Sequence, residues 1–363
     1  MLFIDNFLCK SLSVTGEAFF DILFLSMFSS RKKTKTVIRI SDNSISVLTL
    51  GYNQANKLDV LYHEDLGIPA GIIVSGEILK LEVLAQILKK IKSKIGNTSV
   101  DVLLPHEHFH CSQISLDPVD KKTALKKRVK DYFQTKTKNE PWHKTHACEF
   151  QHYPEAGEGI VLFRCLPKEA YKSYLEVFKR AGLVLSALNS DILAFDHLLG
   201  AERTSLVHIQ GQQTQIADFK KKVHVGLKKF ELSYSYLIDD ILRNIDMKRG
   251  DAKKILEKYG ALRSHRDPIV YKRLLRSFSP LVDFLKRRKT QGAFRILVVF
   301  GLFPLPGFAD HIRRYINVPM QELNLFLDFG YDFVEVPGIH KKHTYRYQAH
   351  IAQALRSFEK KEN

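Results

Sequence analysis

The chain has 363 residues, 45% of them hydrophobic, and carries 56 Lys and Arg against 39 Asp and Glu, a formal net charge of +17. That length and apolar share exclude wholesale disorder and leave room for two ordinary domains, each with its own core. The basic excess suits an acidic partner, an anionic membrane face or nucleic acid, and says nothing about fold.

The longest apolar run, Ala18 to Phe28, is broken by Asp21 and Ser26. It falls short of the ~20 apolar residues of a spanning helix and lacks a secretory cleavage site. Residues 1–30 read either as an added helix docked on the body or a membrane, or as sequence ahead of a start at Met27, the preferred reading. Thr36 to Leu50 gives two β-branched runs around the turn residues Ser41 to Ser44, a hairpin that Leu58 to His63 extends. Ile78 to Ile95 repeats apolar residues at helical spacing with lysines opposite.

Strands are expected at Val100 to Leu104 and Cys111 to Leu116, a basic helix at Thr123 to Phe133, and a loop at Gln134 to His146. Gly159 to Leu166, Pro167 to Ala181 and Leu183 to Leu188 read strand, helix, strand, a βαβ unit that predicts a parallel pair. A helix is expected at Ser190 to Leu199. Three short strands at Ser205 to Gln210, Thr214 to Lys220 and Lys222 to Lys228 then echo the opening meander. Helices are expected at Tyr234 to Met247, Gly250 to Tyr259 and Pro268 to Lys289, then a buried strand at Phe294 to Phe300, and helices at Phe308 to Ile316 and Tyr345 to Phe358.

The four cysteines, Cys9, Cys111, Cys148 and Cys165, form no CxxC pair, so no disulfide framework is expected and a reducing compartment follows. His106, His108 and His110 alternate at period two and on a strand would share one side, spacing that can bind zinc or copper; a solvated edge is the preferred reading. His143, His146, Cys148 and His152 form a looser cluster with the same discount, and no metal is expected. Nucleophilic catalysis has no Gly-x-Ser-x-Gly elbow or Cys/His framework behind it. The clusters at Arg31 to Lys35, Lys121 to Lys130, Lys220 to Lys229 and Lys286 to Lys289 read as solvated faces and lack the motifs of nucleic-acid binders.

Two halves that each open with a meander and continue into βα units match the duplicated actin and hexokinase layout. Residues then narrow the resemblance. Gly67-Ile-Pro-Ala-Gly71 leading through Ser75-Gly-Glu77 into a helix, Pro167-Lys-Glu169, Ala181-Gly-Leu183, Asn189-Ser-Asp191, the stretch Asp239 to Gly260, and Leu305-Pro-Gly307 fall in order. They resemble the PilM-type pilus assembly proteins and the related cell-division protein FtsA, over roughly residues 36–356. The short Phe/Ser/Lys-rich lead after Met27 is similar to a family start. The resemblance implies an α/β chain of the actin-like ATPase (ribonuclease H-like) fold. Its parts would be an N-terminal extension (1–35), a first domain (36–200) with an inserted subdomain at about 70–160, a second domain (201–340), and a C-terminal helix (341–363) returning to the first.

Relatives with this fold hold Mg-ATP between the domains, with an Asp-x-Gly turn in each opening hairpin. The first turn here reads Arg39, Ile40, Ser41, then Asp42, Asn43 and Ser44. The second reads His208, Ile209, Gln210, with Gly211 one position late. The adenosine motif keeps Gly301 and Gly307, but Leu302 and Phe303 replace small residues. Without both acids the expectation is a degenerate pocket, a pseudo-ATPase and no cofactor. Binding of phosphate by Arg39 and nearby lysines without a metal is the disfavoured counter-reading.

What the resemblance implies is a cytoplasmic scaffold at the inner membrane, in a type IV pilus or a related secretion or DNA-uptake machine. It would bind the N-terminal tail of a PilN-like inner-membrane protein in a groove beside the inserted subdomain. Contact with a pilus motor ATPase, self-association and peripheral membrane contact go with that role. Two alternatives stand beside it: an active actin-fold ATPase or kinase with atypical phosphate residues and Mg-ATP, and a basic nucleic-acid-binding protein.

Overall fold

A computed structural model describes residues 34–52, 58–96, 99–115, 127–129, 131, 145–152, 160–200, 202–262, 268–290, 294–328 and 341–359. The readings for residues 1–30, for most of the basic helix at Thr123 to Phe133 and for the loop up to Lys144, His143 included, lie outside these residues. Residues 127–129 and 131 of that helix are described and helical.

Two mixed five-stranded sheets carry the chain. The first is built from β1 (Thr34–Ile40), β2 (Ser44–Tyr52), β3 (Leu58–Gly67), β6 (Ser99–Leu104) and β10 (Val184–Ser190), in the order β10-β6-β1-β2-β3. A two-stranded ribbon, β4 (Ile73–Val74) and β5 (Glu77–Ile78), leads into α1 (Leu81–Ile95). Leu84, Ala85, Leu88 and Ile91 form the buried stripe of α1, and α2 (Lys168–Ala181) packs beside it over the same sheet. Gly182 ends α2 in the left-handed conformation, its N–H bonded to Lys179 O at 2.9 Å while Leu183 N reaches Phe178 O at 2.9 Å.

The second sheet comprises β11 (Thr204–Ile209), β12 (Thr214–Lys220), β13 (Val223–Phe230), β14 (Arg295–Phe300) and β15 (Met320–Glu322), in the order β13-β12-β11-β14-β15. β14, parallel to β11, is apolar on both faces as a central parallel strand must be. One side is covered by α3 (Tyr234–Leu242), α4 (Arg249–Tyr259), α5 (Pro268–Ser277), α6 (Ser279–Lys289) and α7 (Phe308–Arg313). The Ser233 hydroxyl caps α3 by accepting from Tyr236 N at 3.0 Å. The short α8 (Leu325–Asp328) precedes a 3-10 stretch and α9 (Gln348–Glu359), which lies on β1, β2 and β6 of the first sheet.

A third, smaller sheet of β7 (His110–Ser115), β8 (His146–His152) and β9 (Ile160–Pro167) is antiparallel throughout, in the order β7-β9-β8. It corrects three expectations. The βαβ unit is divided between sheets: β9 pairs with β7 and β8, whereas β10 pairs in parallel with β6. His146, placed in a loop from the sequence, opens β8. Cys148 and Cys165, expected to be unpaired, stand directly opposite on β8 and β9 with Cα atoms 4.3 Å apart, joined by a disulfide.

Two helices also differ. Pro268 to Lys289 is broken at Phe278, because Pro280 enters the first turn of α6 without an N–H to continue the ladder. Ser190 to Leu199 is a 3-10 stretch over Leu193–Leu198 instead of an α-helix.

Candidate functional site

The two main sheets meet where β1, β10 and β11 end, and an ionic network fills that junction. Arg39, near the end of β1, donates from Nε and Nη2 to Asp191 Oδ2 at 3.2 and 2.9 Å. Asp191 follows β10, and its other oxygen accepts the His106 backbone N–H at 3.1 Å. Gln210, after β11, accepts from Arg39 Nη2 at 3.4 Å, donates to Asp191 Oδ2 at 3.4 Å and contacts His208 Nδ1 at 2.9 Å. His106 Nδ1 and Ser190 Oγ are 2.7 Å apart. One carboxylate therefore gathers donors from both sheets.

Its electrostatics follow from burial. The Asp191 side chain is wholly buried, while 22% of the Arg39 side chain is exposed. Burial alone would raise the Asp191 pKa; the charge and hydrogen bonds of Arg39 outweigh it and hold the carboxyl below the usual range. His208 is pushed down to about 4, chiefly by burial, so it is neutral at pH 7.

The remaining residues of the degenerate pocket have other engagements. Ser41 Oγ lies 2.9 Å from Ser44 Oγ and 3.2 Å from Ser44 O. The Asp42 carboxylate accepts the backbone N–H groups of Ser75 and Gly76 at 2.7 and 3.1 Å, tying the first turn to the β4–β5 ribbon. Asn43 O accepts from Ile68 N at 3.0 Å, and Gly211 O from Ser235 N at 3.0 Å.

Gly301 N bonds Ile209 O at 2.8 Å, and a Cβ at Gly301 would stand 3.0 Å from that same oxygen. Gly307 sits apart, at φ +72°, where a Cβ would come within 3.0 Å of the Ala261 backbone just beyond α4. Phe303 is buried against Tyr234, ring centroids 4.6 Å apart. The structure thus brings Arg39, His208 and Gln210 together around Asp191, with Gly301 adjoining. Asp42 turns toward the ribbon, while Ser41 and Ser44 bond each other within the turn. Asp191 is the member that sequence reasoning named only as a spacing marker.

A second concavity, about 730 Å³, lies between the small sheet and the first main sheet. β8 and β10, each an edge strand among the described residues, bound it together with α2. Tyr171, Leu175, Leu185 and Leu188 give it apolar walls. On its floor the buried Arg164 donates to Asn189 Oδ1 at 2.8 Å and Glu149 Oε2 at 3.0 Å, while its Nε has no hydrogen-bond partner among the described residues. Asn189 Nδ2 donates to Gln353 Oε1 at 2.9 Å, and Gln353 Nε2 to Asp101 Oδ2 at 2.9 Å. Asp101 is paired with Lys35 at 2.6 Å.

The histidine row departs from expectation. His106 to His108 form a 3-10 turn and only His110 enters a strand, so the three do not share a strand face. His106 is buried instead of solvated. Among the described residues no group of three or more His, Cys, Asp or Glu side chains is arranged to hold a metal ion, and no helix is long and apolar enough to cross a membrane.

These paired sheets, with the cleft between their opening hairpins, define the actin-like ATPase fold. Among solved structures the chain is similar to one titled PilM-PilN type IV pilus biogenesis complex, at TM-score 0.65 and 16% identity over 88% of this chain and 96% of that one. It is also similar to the ethanolamine utilization protein EutJ from Carboxydothermus hydrogenoformans, at TM-score 0.51 and 12% identity over 88% and 89%. A weaker likeness, at TM-score 0.43 and 10% identity over 88% and 95%, is to the cytoplasmic domain of EpsL of the Vibrio cholerae type II secretion system. No protein-family profile matches the chain, and no curated protein does.

Proposed function

We propose that the chain is a scaffold of a type IV pilus or related secretion machine, acting at the cytoplasmic face of the inner membrane without ATP hydrolysis. It captures the extended N-terminal tail of a PilN-like membrane protein. The observation that carries this reading is the groove between the β8 and β10 edges. An extended tail laid there completes main-chain hydrogen bonds along an open edge and drops alternate side chains between Tyr171, Leu175, Leu185 and Leu188. The buried Arg164 guanidinium, held by Asn189 and Glu149, lends the floor of the groove a positive charge.

The cleft supports the pseudo-ATPase half of the reading. A cation stands where the fold's nucleotide-binding members place a metal-positioning acid, and Asp191 already uses its lone pairs on Arg39, Gln210 and His106. Phosphoryl transfer needs a metal and a backbone cradle that these side chains displace. Calorimetric titration tests both halves. A tail peptide from the candidate membrane partner is expected to bind, and Mg-ATP to give no heat. Micromolar, magnesium-dependent ATP binding returns the protein to the ATPases, and absence of tail binding removes the scaffold role.

A further inference from the structure

We infer that the end of the second sheet farthest from the cleft is a docking surface for an anionic bilayer, a basic face assembled from a hairpin tip and the ends of two helices. The sequence carries two separate charge clusters, Lys220 to Lys229 and Lys286 to Lys289, each readable alone as a solvated face. Strand pairing brings them to one place. β11 and β14 run parallel, with Thr204 opposite Arg295 and Ile209 opposite Phe300, so their first residues lie away from the cleft that their last residues border. β12 ends and β13 begins at that far end, where Thr204 faces Phe219 and Lys220 faces Val223. Asp218 of β12 holds Arg288 of α6 in a salt bridge, and Lys220, two residues further on, projects to the same side of the sheet. Lys286, also on α6, places Nζ 4.9 Å from the ring centre of Tyr315, just beyond α7. A basic strip therefore runs from the hairpin tip across α6 to the end of α7.

The strip holds more charge than the fold needs. Asp283, Asp218 and Asp310 answer Lys286, Arg288 and Arg313. Lys220, Lys221, Arg287, Lys289 and Arg314 are exposed and have no ion-pair partner among the described residues. Against them stands Glu202, exposed just ahead of β11. One cation would complement the C-terminal dipole of α6, yet its last turn carries four. The hairpin tip adds a second observation. Lys221 and Lys222 form a two-residue turn with φ +50° and +68°, positions that Asn and Gly fill at least cost. Side chains kept in left-handed backbone at a loss of stability concentrate where function needs them.

The geometry favours a bilayer over nucleic acid. These cations stand on a hairpin tip and on helix ends instead of lining a groove that would track a phosphate backbone. Among them Tyr315 is 52% exposed, and an amphipathic ring of this kind settles at headgroup depth. Lysines and arginines held near an anionic leaflet each strengthen binding by about fivefold. Because the strip lies at the opposite end of the sheet from the cleft, a docked membrane leaves the Arg39–Asp191 network uncovered. The inference deepens the placement of the chain at the inner membrane and rests on that reading for which bilayer is met; the groove takes no part in it.

The test is co-sedimentation of the full chain with vesicles, without any tail peptide. Vesicles of phosphatidylglycerol and phosphatidylethanolamine are expected to bind it at about 0.1 M salt and release it at about 1 M, where screening is short-ranged; phosphatidylcholine vesicles should leave it in solution. Lys221→Asn should weaken binding about fivefold without lowering the thermal midpoint, a combination that a merely structural lysine would not give. Arg287→Gln with Lys289→Gln should weaken it about 25-fold. Lys253→Gln with Lys258→Gln removes the same charge from α4, which ends against Pro306 beyond the cleft end of β14, and should stay within about threefold of wild type. Wild-type affinity in the α6 pair, an equal loss in the α4 pair, or equal binding to phosphatidylcholine overturns the assignment. So does a mixed-sequence oligonucleotide that binds more tightly and displaces the vesicles. Tail-peptide titration of the same variants reads the groove separately, so either reading can fail while the other stands.

Discussion

Arg39 and Asp191 lie 152 positions apart in sequence and 2.9 Å apart in space, a cation and a carboxylate joined where two sheets meet. Because the carboxylate is wholly buried, the pair matters most when broken. Replacing Arg39 by Met strands the charge of Asp191 and is expected to cost about 3–5 kcal/mol. The double variant Arg39→Met, Asp191→Leu should recover most of that loss. Urea unfolding measures both, and a single-variant cost below ~1 kcal/mol would mean the pair behaves like an exposed one.

Acid should loosen the fold well before the carboxylates protonate. Burial holds His106, His197 and His208 down to about 4, and His224 and His350 to about 3. Each is depressed relative to the unfolded chain, so the unfolded state takes up protons first. Stability is therefore complete above about pH 6.5 and falls as pH drops toward 4, by up to about 1.4 kcal/mol per pH unit for each fully differential group. Asp191 is also depressed, and its contribution is lost only below the ordinary carboxylate range. The urea midpoint should hold above about pH 6.5 and decline from there toward pH 4, and His350→Gln should flatten the slope.

The contact between α4 and the turn before α7 leaves no space for a methyl group. Gly260 has φ +46°, and a Cβ there would lie 2.6 Å from Pro306 O and 2.7 Å from Pro306 N. Gly260→Ala is expected to destabilise by roughly 2 kcal/mol or more. Gly250, inside α4 with nothing within 4 Å of its Cβ position, is the control. Gly250→Ala should be neutral or stabilise by about 0.5–1 kcal/mol. Thermal unfolding of the two variants should move in these different directions.

Tyr171 and Leu175 are 36% and 39% exposed on the groove wall, so changing them spares the core. Leu175→Asp is expected to weaken binding of a tail peptide by about tenfold or more while leaving the unfolding midpoint near wild type. Equal affinity for the variant would place the tail elsewhere.

Much of the scaffold was legible because it is written in β-branched runs. β1, β2, β11, β12 and β14 announce themselves, and the stripe Leu84, Leu88, Ile91 marks α1. β8 was hidden because His146 to His152 has no β-branched residue and a polar alternation that any loop could carry. The partner of β9 was misread because periodicity reports which side of a strand is apolar, not which strand lies beside it. The same gap concealed the Cys148–Cys165 bridge, which follows from register and not from spacing. In the cleft, the missing acids at Arg39 and His208 could be read directly. That Asp191 supplies the counter-charge could not, since it comes from the end of a different strand.

The docking of α9 sets an order on synthesis. His350 Nε2 lies 3.0 Å from Ser46 Oγ across a separation of 304 residues, and Gln353 and Ser357 both donate to the buried Asp101. A ribosome delivers β1, β2 and β6 early, yet the helix that covers this side of them emerges only after the second sheet. The second sheet and its helices, whose strands and cover run from Thr204 to Glu322, are complete before that closing step. The nascent first sheet therefore waits, one face open, while the second half folds, and that interval is when a chaperone has most to shield.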